Sequence, residues 1–155
     1  RSLADVVVLS WHWGVSPATG GVGDLTGYQM DMGRAAIDFG ADLVVGHHPH
    51  VLQPIEVYHG KAIIYTLGNF VHDMKSSDSS HRKLDTMLLR CLIRDGEIQG
   101  ISFIPGRIDG HGPPRFFRPA EAEDVVEHMQ EISARFGTRF EVGEDEVSVV
   151  LDASS

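Results

Sequence analysis

The sequence predicts a mixed α/β (α+β) fold that begins with a β-α-β unit and continues with hairpins. Two short runs, "DVVVLS" at 5–10 and "ADLVVG" at 41–46, have the Val-rich, continuously apolar pattern of strands buried on both faces. Between them, residues 28–40 place apolar side chains at helical spacing. Two strands joined by a single helix are expected to be parallel and connected by a right-handed crossover.

The helix at 28–40 is expected to bury one face and to end at Gly40. The residues expected on that face are Tyr28, Met32, Ala35, Ala36 and Phe39. After it, "IEVY" and "AIIYTL" predict one hairpin, and "TMLLRCLIR" and "EIQGISFIP" predict a second one that turns at "DG". A helix at 120–137 and a last strand at 146–152 complete the expected elements.

The length and composition predict a single globular domain covering residues 1–155. A net charge of −9, with no cluster of basic residues, argues against a nucleic-acid partner. The sequence shows no signal peptide and no apolar run of transmembrane length. Because it opens almost directly into a strand without an initiator Met, we expect it to be a fragment of a longer protein. Any export signal or membrane anchor would then lie upstream.

Histidines follow both strands of the β-α-β unit. His12 lies in "WHWG" after the first strand, and "GHHPH" at 46–50 follows the second. Parallel strands end at the same edge of a sheet, where ligands bind in open α/β folds, so the two loops are expected to be neighbours. Gly46 allows a sharp exit from the strand and Pro49 stiffens the turn. The pattern predicts either a site for Zn, Mn or Fe or a solvated polar loop.

Four further residues are candidates near this edge. Asn69, after the "AIIYTL" strand, is either a donor to the substrate or to a ligating histidine, or a turn residue. Glu56 either orients a ligating histidine through its second ring nitrogen or is an exposed strand carboxylate. Trp11 and Trp13 flank His12, where they either wall the pocket or pack in the core.

The segments "VVLSWHWGV" (7–15) and "AAIDFGADLVVGHHPHVLQPIEVYHGKAIIYTLGNF" (35–70) together resemble the CapA-type family, named for capsule and poly-γ-glutamate synthesis. That family looks like a branch of the calcineurin-like metallophosphoesterase superfamily. The resemblance implies a β-sandwich flanked by helices, of which this chain would be the C-terminal half. It also implies a centre of two divalent metal ions about 4 Å apart that clamp a phosphoester and generate a hydroxide nucleophile.

The resemblance also implies which residues carry this chemistry. His12 matches the isolated metal-ligating histidine of the superfamily, and "GHHPH" takes the place of its Gly-His-x-His motif. His12, His48 and His50 are therefore the expected metal ligands and catalytic residues, with His47 as the alternative to His48. Two departures stand out: Ser16 replaces an acidic residue of the family, and the acidic and Asn-His motifs that precede "HWG" in the superfamily are absent. The N-terminal half of the same protein is expected to supply those missing ligands.

Two functions are compatible with this resemblance. The first is a metal-dependent, phosphoesterase-like hydrolase with Mn, Zn or Fe, acting on a phosphoester or on a γ-glutamyl amide. The second is a non-enzymatic assembly or export factor for an anionic polymer, which keeps part of the metal site. Both imply a phosphoester or anionic polymer as partner and a location in the bacterial cell envelope, outside the cytoplasm, with any membrane anchor upstream.

Overall fold

The computed structural model describes residues 3–15, 24–71, 84–108 and 113–152. Within these ranges the chain forms two β-sheets and two α-helices, which confirms the mixed α/β class. The elements are β1 (Val8–His12), α1 (Gly27–Asp38), β2 (Leu43–His47), β3 (Ile55–Tyr58), β4 (Lys61–Ile64), β5 (Asp85–Arg94), β6 (Glu97–Arg107), β7 (Arg115–Phe116), α2 (Glu123–Ser133), β8 (Phe140–Val142) and β9 (Val147–Val149).

The first sheet has the strand order β1-β2-β4-β3. β1 and β2 are parallel, as the β-α-β prediction requires, and β4 lies parallel to β2 on its other side. β3 and β4 form the first of the two expected hairpins. The register pairs His12 with His47, so the last residues of β1 and β2 lie side by side. The C-terminal edge of this sheet therefore carries both histidine loops.

The two faces of the first sheet pack against different elements, because alternate residues of a strand point to opposite sides. Val44 and Ile63 lie in a buried cluster with residues of α1, and we call this side the helix face. Leu43, Val45 and Ile64 lie in a second cluster with residues of β5, β6, β9 and α2, and we call this side the sandwich face.

The second sheet has the strand order β5-β6-β9-β8, and β7 also pairs with β6. β5 and β6 form the second expected hairpin. β7 and β8 were not predicted, because strands of two and three residues are too short to show a periodic pattern. α2 begins at Glu123, after a short 3-10 helix at Pro119–Glu121. A second 3-10 helix, Ala134–Phe136, follows α2, and Gly137 ends the segment with a positive φ.

The prediction that the first strand is buried on both faces was wrong. β1 is the edge strand of its sheet and pairs only with β2 among the described strands. Val8 remains 49% exposed, and the residues of β1 alternate between exposed and half-buried. A sequence suited to a sheet interior therefore lies at the edge of the sheet that the described strands form.

The expected buried face of α1 was only partly right, because Met32 and Ala36 are half-buried and pack against the helix-face cluster. Phe39 is 93% exposed and Tyr28 is largely exposed, whereas Gln29, Gly33 and Ile37 are the buried residues. The helix approaches β4 at Gly33, where a Cβ atom would lie 3.0 Å from Cγ2 of Ile63. A larger residue at position 33 would therefore collide with β4. The prediction that the helix stops at Gly40 is confirmed by its φ of 106°. No helix in the described ranges is long and apolar enough to span a membrane.

Candidate functional site

His12 and His48 face each other at the C-terminal edge of the first sheet. His12 is the last residue of β1, and His48 directly follows β2. Nε2 of His12 lies 2.9 Å from Nδ1 of His48, and the ring centroids are 4.7 Å apart. One of these two nitrogens carries a proton and donates it to the lone pair of the other. The contact is exposed to solvent, so a ligand can approach it from outside.

The backbone of the "GHHPH" loop is strained at two of its histidines. φ is 109° at His48 and 60° at His50, both in the left-handed region that residues other than glycine rarely adopt. His48 also precedes Pro49, and a residue before proline ordinarily adopts an extended conformation with negative φ. Strained backbone of this kind persists where surrounding contacts impose it, and it is concentrated at functional sites. Contacts outside the loop must therefore hold these rings in place.

Asn69 is buried and sets the tautomer of the His50 ring. Nδ2 of Asn69 donates to the backbone carbonyl of His50 over 3.3 Å, which turns Oδ1 towards the ring, 2.8 Å from Nδ1. An amide oxygen only accepts, so Nδ1 of His50 is the donor. Nε2 of the neutral ring then carries a lone pair, the form in which histidine binds a metal or accepts a proton.

His47 makes a different contact from the other histidines of the loop. Its Nε2 lies 3.2 Å from Oγ of Ser10 on the neighbouring strand β1. Burial, and to a lesser extent the charge of His12, lowers the pKa of His47 below its ordinary value, so its ring is neutral at neutral pH. Since His48 contacts His12 directly and His47 contacts Ser10, the geometry favours His48 as the partner of His12.

Glu56 is buried on β3, only 4% exposed, and both of its carboxylate oxygens accept hydrogen bonds. Arg34 donates to Oε1 from Nε and Nη2, each over 2.8 Å, and the hydroxyl of Tyr65 donates to Oε2 over 2.5 Å. Burial, followed by the hydrogen bond to Glu56, raises the pKa of Tyr65, so the phenol remains a donor. The prediction that Glu56 orients a ligating histidine is not supported by these contacts, because its partners are Arg34 and Tyr65.

The histidine pair suits a metal ion, but the described residues do not form a complete site. Two imidazole nitrogens that bind one ion at ordinary metal–nitrogen distances are about 3.0–3.4 Å apart, close to the separation of His12 and His48. Within the described ranges, however, no three His, Cys, Asp or Glu side chains are grouped so as to hold a metal. A protein metal site ordinarily needs three or four protein ligands. We therefore derive no catalytic step from this chain alone.

The structure thus brings together part of the predicted site. His12 and His48 are in contact, the ring centroids of His48 and His50 are 5.7 Å apart, and Asn69 lies behind His50. Ser16 lies outside the described residues. Tyr65 was not singled out from the sequence, although an aromatic residue directly after a buried strand that ends beside the histidine loops could have suggested it.

Comparison with known proteins identifies relatives of this chain. Residues 1–74 match the family model described as "Bacterial capsule synthesis protein PGA_cap". The chain is 53% identical over 70 residues to the PGA biosynthesis protein CapA of Bacillus subtilis (strain 168), covering 45% of this chain and 17% of that protein. It is 36% identical over 116 residues to the capsule biosynthesis protein CapA of Bacillus anthracis, covering 71% of this chain and 25% of that protein.

A more distant relative extends the similarity over most of the chain. The "Probable polyglutamine synthesis accessory protein" of Mycobacterium tuberculosis (strain CDC 1551 / Oshkosh) is 28% identical over 160 residues, covering 97% of this chain and 40% of that protein. The chain therefore spans less than half the length of each of these three curated relatives.

Proposed function

We propose that this chain forms one half of a divalent-metal site. The chain belongs, through residues 1–74, to the CapA-type family of bacterial capsule synthesis proteins. The whole protein would be a phosphoesterase-like hydrolase of capsule or poly-γ-glutamate synthesis in the cell envelope. The observation that carries the proposal is the convergence of His12 and His48, whose ring nitrogens are 2.9 Å apart. The names of two relatives, which refer to PGA and capsule biosynthesis, support the biological process.

The donor atoms favour particular metals and leave a defined role for His50. Imidazole nitrogens suit Zn, Mn or Fe better than Ca. Such ions, when bound, act as Lewis acids on a phosphoester or a similar anionic group of the substrate. His12 and His48 would hold an ion from one side, and Nε2 of His50 would serve as a proton acceptor.

The remaining ligands are proposed to come from the N-terminal half of the same protein. Among the described strands, β1 lies at one edge of the first sheet and β5 at one edge of the second, and we propose that the N-terminal half joins the chain at these two edges. The β5–β6 turn lies beside the start of the first sheet, since a Cβ atom at Gly96 would be 3.2 Å from Cβ of Asp5. Val8 on β1 is 49% exposed, and Leu92 on β5 is 55% exposed. Further chain at these edges would cover both apolar side chains and reach the histidine loops at the end of β1.

The metal site can be tested by elemental analysis of the complete natural protein and of two histidine variants. We expect His48→Ala to lower the metal content and to reduce hydrolysis of a generic phosphodiester such as bis-p-nitrophenyl phosphate at least 100-fold. His59→Ala is the matched control, because His59 is an exposed histidine in the β3–β4 turn, next to Asp38. A metal content near zero in the wild type, with equal hydrolysis by both variants, would contradict the proposal.

The position of the N-terminal half can be tested by amide hydrogen exchange. In the complete protein, the amides of β1 that do not bond to β2 should be protected as strongly as those that do. In the 155-residue chain alone, they should exchange rapidly, whereas β2 should be protected in both. Equal exchange at β1 in the two proteins would show that no other part of the protein covers this edge.

A second function, assembly or export of an anionic polymer without catalysis, is favoured by one observation. The His12–His48 pair is exposed and has no third ligand grouped with it among the described residues. In that case the purified protein would have no hydrolase activity with any of the three metals. Cells carrying His48→Ala would nevertheless make less extracellular polymer. Activity that follows the metal content would exclude this alternative.

A further inference from the structure

We propose that Trp13 is a positioning residue that fixes His12 against His48, through a cluster formed by Trp13, Gly46 and Tyr65. The inference rests on the proposed function in one respect only, namely that His12 and His48 bind a metal ion. The Trp13 side chain is 4% exposed, and its Nε1 donates to the backbone carbonyl of Tyr65 over 2.8 Å. Its backbone N–H donates to the carbonyl of His47 over 3.0 Å, which continues the β1–β2 pairing one residue beyond His12. One residue thus connects the ends of β1, β2 and β4.

Gly46 provides the space that the Trp13 indole occupies. A Cβ atom at Gly46 would lie 2.2 Å from Nε1 of Trp13 and 2.0 Å from the carbonyl oxygen of Tyr65. Any side chain at this position would therefore displace the indole or break its hydrogen bond. Trp13 directly follows His12, and Gly46 lies two residues before His48. The contact consequently sets the relative position of the two histidine loops.

A second contact lies on the other side of the histidine pair. A Cβ atom at Gly14 would lie 2.8 Å from Cγ of Pro49 and 3.0 Å from Nε2 of Gln29. Gln29 is itself buried and donates from Nε2 to Oε1 of Gln53 over 2.9 Å. The residues after His12 therefore pack against the residue before His47 and the residue after His48. These two contacts explain how His48 keeps its φ of 109°.

The buried Glu56 acts on the same cluster through Tyr65. The Tyr65 ring stacks on the Trp13 indole, with centroids 5.7 Å apart, and its hydroxyl donates to Glu56, which is paired with Arg34. Glu56 therefore fixes the ring against which Trp13 packs. Its connection to the histidines runs through two side chains and involves no direct hydrogen bond to an imidazole.

The test uses Trp13→Phe in the complete natural protein, with Trp11→Phe as the matched control. Phenylalanine keeps an aromatic ring at position 13 but removes the N–H donor. Trp11 is stacked on Trp13, with centroids 5.5 Å apart, and is only half-buried. Two quantities are measured: the dissociation constant for Zn²⁺, by competition with a chromophoric chelator, and the ring ¹⁵N shifts of His12 and His48 in metal-free protein. Both are measured well below the thermal midpoint of each variant.

We expect Trp13→Phe to weaken Zn²⁺ binding about 10- to 100-fold, the range found when residues that orient a metal ligand are altered. It should also change the ¹⁵N shifts of both rings, because the His12–His48 hydrogen bond is lost. Trp11→Phe should leave the dissociation constant for Zn²⁺ within twofold of the wild-type value and the ring ¹⁵N shifts unchanged within error. Unchanged ring shifts in folded Trp13→Phe would overturn the inference.

The same measurements distinguish a failure of the proposed metal site from a failure of the positioning role of Trp13. If the wild type binds no Zn²⁺ but Trp13→Phe still changes both ring shifts, the metal site fails and the positioning role stands. If Trp13→Phe does not fold, Gly46→Ala replaces it, because its Cβ atom would lie 2.2 Å from Nε1 of Trp13 and displace the indole. Ring shifts of His12 and His48 that remain unchanged in folded Gly46→Ala would then overturn the inference.

Discussion

The helix face and the sandwich face of the first sheet differ in what their buried residues provide. The sandwich face is filled mainly by apolar side chains from both sheets and from α2, including Ile64, Phe103 and Met129. The helix face also holds buried polar groups: Glu56 accepts a hydrogen bond from Tyr65, whose carbonyl accepts one from Trp13, and Gln29 lies close to Gly14. Burial of apolar side chains stabilises the fold but is non-directional, whereas hydrogen bonds fix the relative positions of the groups that they join. Stability and site geometry should therefore respond to different substitutions.

The largest loss of stability is expected on the sandwich face. Phe103→Ala should lower the free energy of unfolding by about 3–5 kcal/mol, because the side chain is fully buried and packs edge-on to Phe140. Urea denaturation measures the change. Val142→Ala, at an exposed position of β8, should change the free energy of unfolding by less than about 0.5 kcal/mol. The ring ¹⁵N shifts of His12 and His48 should be those of the wild type in both variants, and a change in Phe103→Ala would show that the faces are not independent.

Gly46→Ala should cost less stability but disturb the site. The added methyl group collides with the Tyr65 carbonyl and the Trp13 indole, and forced packing of this kind costs about 1–3 kcal/mol. The histidine ring shifts should change as well. Gly100→Ala is the control, because a Cβ atom there meets nothing within 4 Å. Alanine in that strand should leave stability unchanged or raise it by up to about 1 kcal/mol. Equal behaviour of the two variants would refute the close contact at Gly46.

Glu56→Gln should have a smaller effect on stability. The amide keeps the size of the side chain but removes the charge that pairs with Arg34, which is itself partly exposed to water. A loss of about 1–2 kcal/mol in denaturant unfolding is expected. Glu141→Gln, at an exposed position of β8, should leave stability unchanged within about 0.5 kcal/mol. A stability gain in Glu56→Gln would mean that the buried charge is destabilising.

The smallest effect is expected at Asp124, which lies in the first turn of α2 with its side chain exposed to solvent. Partial burial opposes ionisation of Asp124, but the hydrogen bond and charge of Arg107 outweigh it and lower the pKa. A carboxylate whose pKa is lower in the folded state stabilises above its ordinary pKa of about 4 and loses that contribution as the pH falls. Asp124→Asn should therefore cost at most about 1 kcal/mol near neutral pH and less near pH 4. A cost that grows with acidity would contradict this ion pair.

Sequence patterns were sufficient where the physical signal is local and periodic. The Val-rich run at 41–46 became the buried strand β2, the "DG" turn became the β5–β6 hairpin, and Gly40 ended α1. The same reasoning was only partly right for the buried face of α1, where Met32 and Ala36 pack against the cluster but Phe39 does not. A glycine carries no apolar signal, yet Gly33 is buried against Ile63 of β4.

For the candidate site, the sequence indicated the residues but left their contacts open. "WHWG" and "GHHPH" could be assigned to one sheet edge because parallel strands end on the same side. Spacing left both His47 and His48 open as partners of His12, whereas the structure places His48 against His12 and His47 against Ser10. The role of Glu56 was likewise unpredictable, since its partners Arg34 and Tyr65 come from other elements.

By itself, the sequence determined the mixed α/β class, the β-α-β opening, the hairpins and the kinship with CapA-type proteins. These features follow from short-range periodicity, turn residues and shared motifs, all of which are local properties of the sequence. Only the tertiary structure decided that His12 meets His48, that Asn69 directs the His50 ring, and that Trp13 fills the space left by Gly46. These contacts join residues far apart in sequence, and their geometry depends on packing that no local pattern encodes.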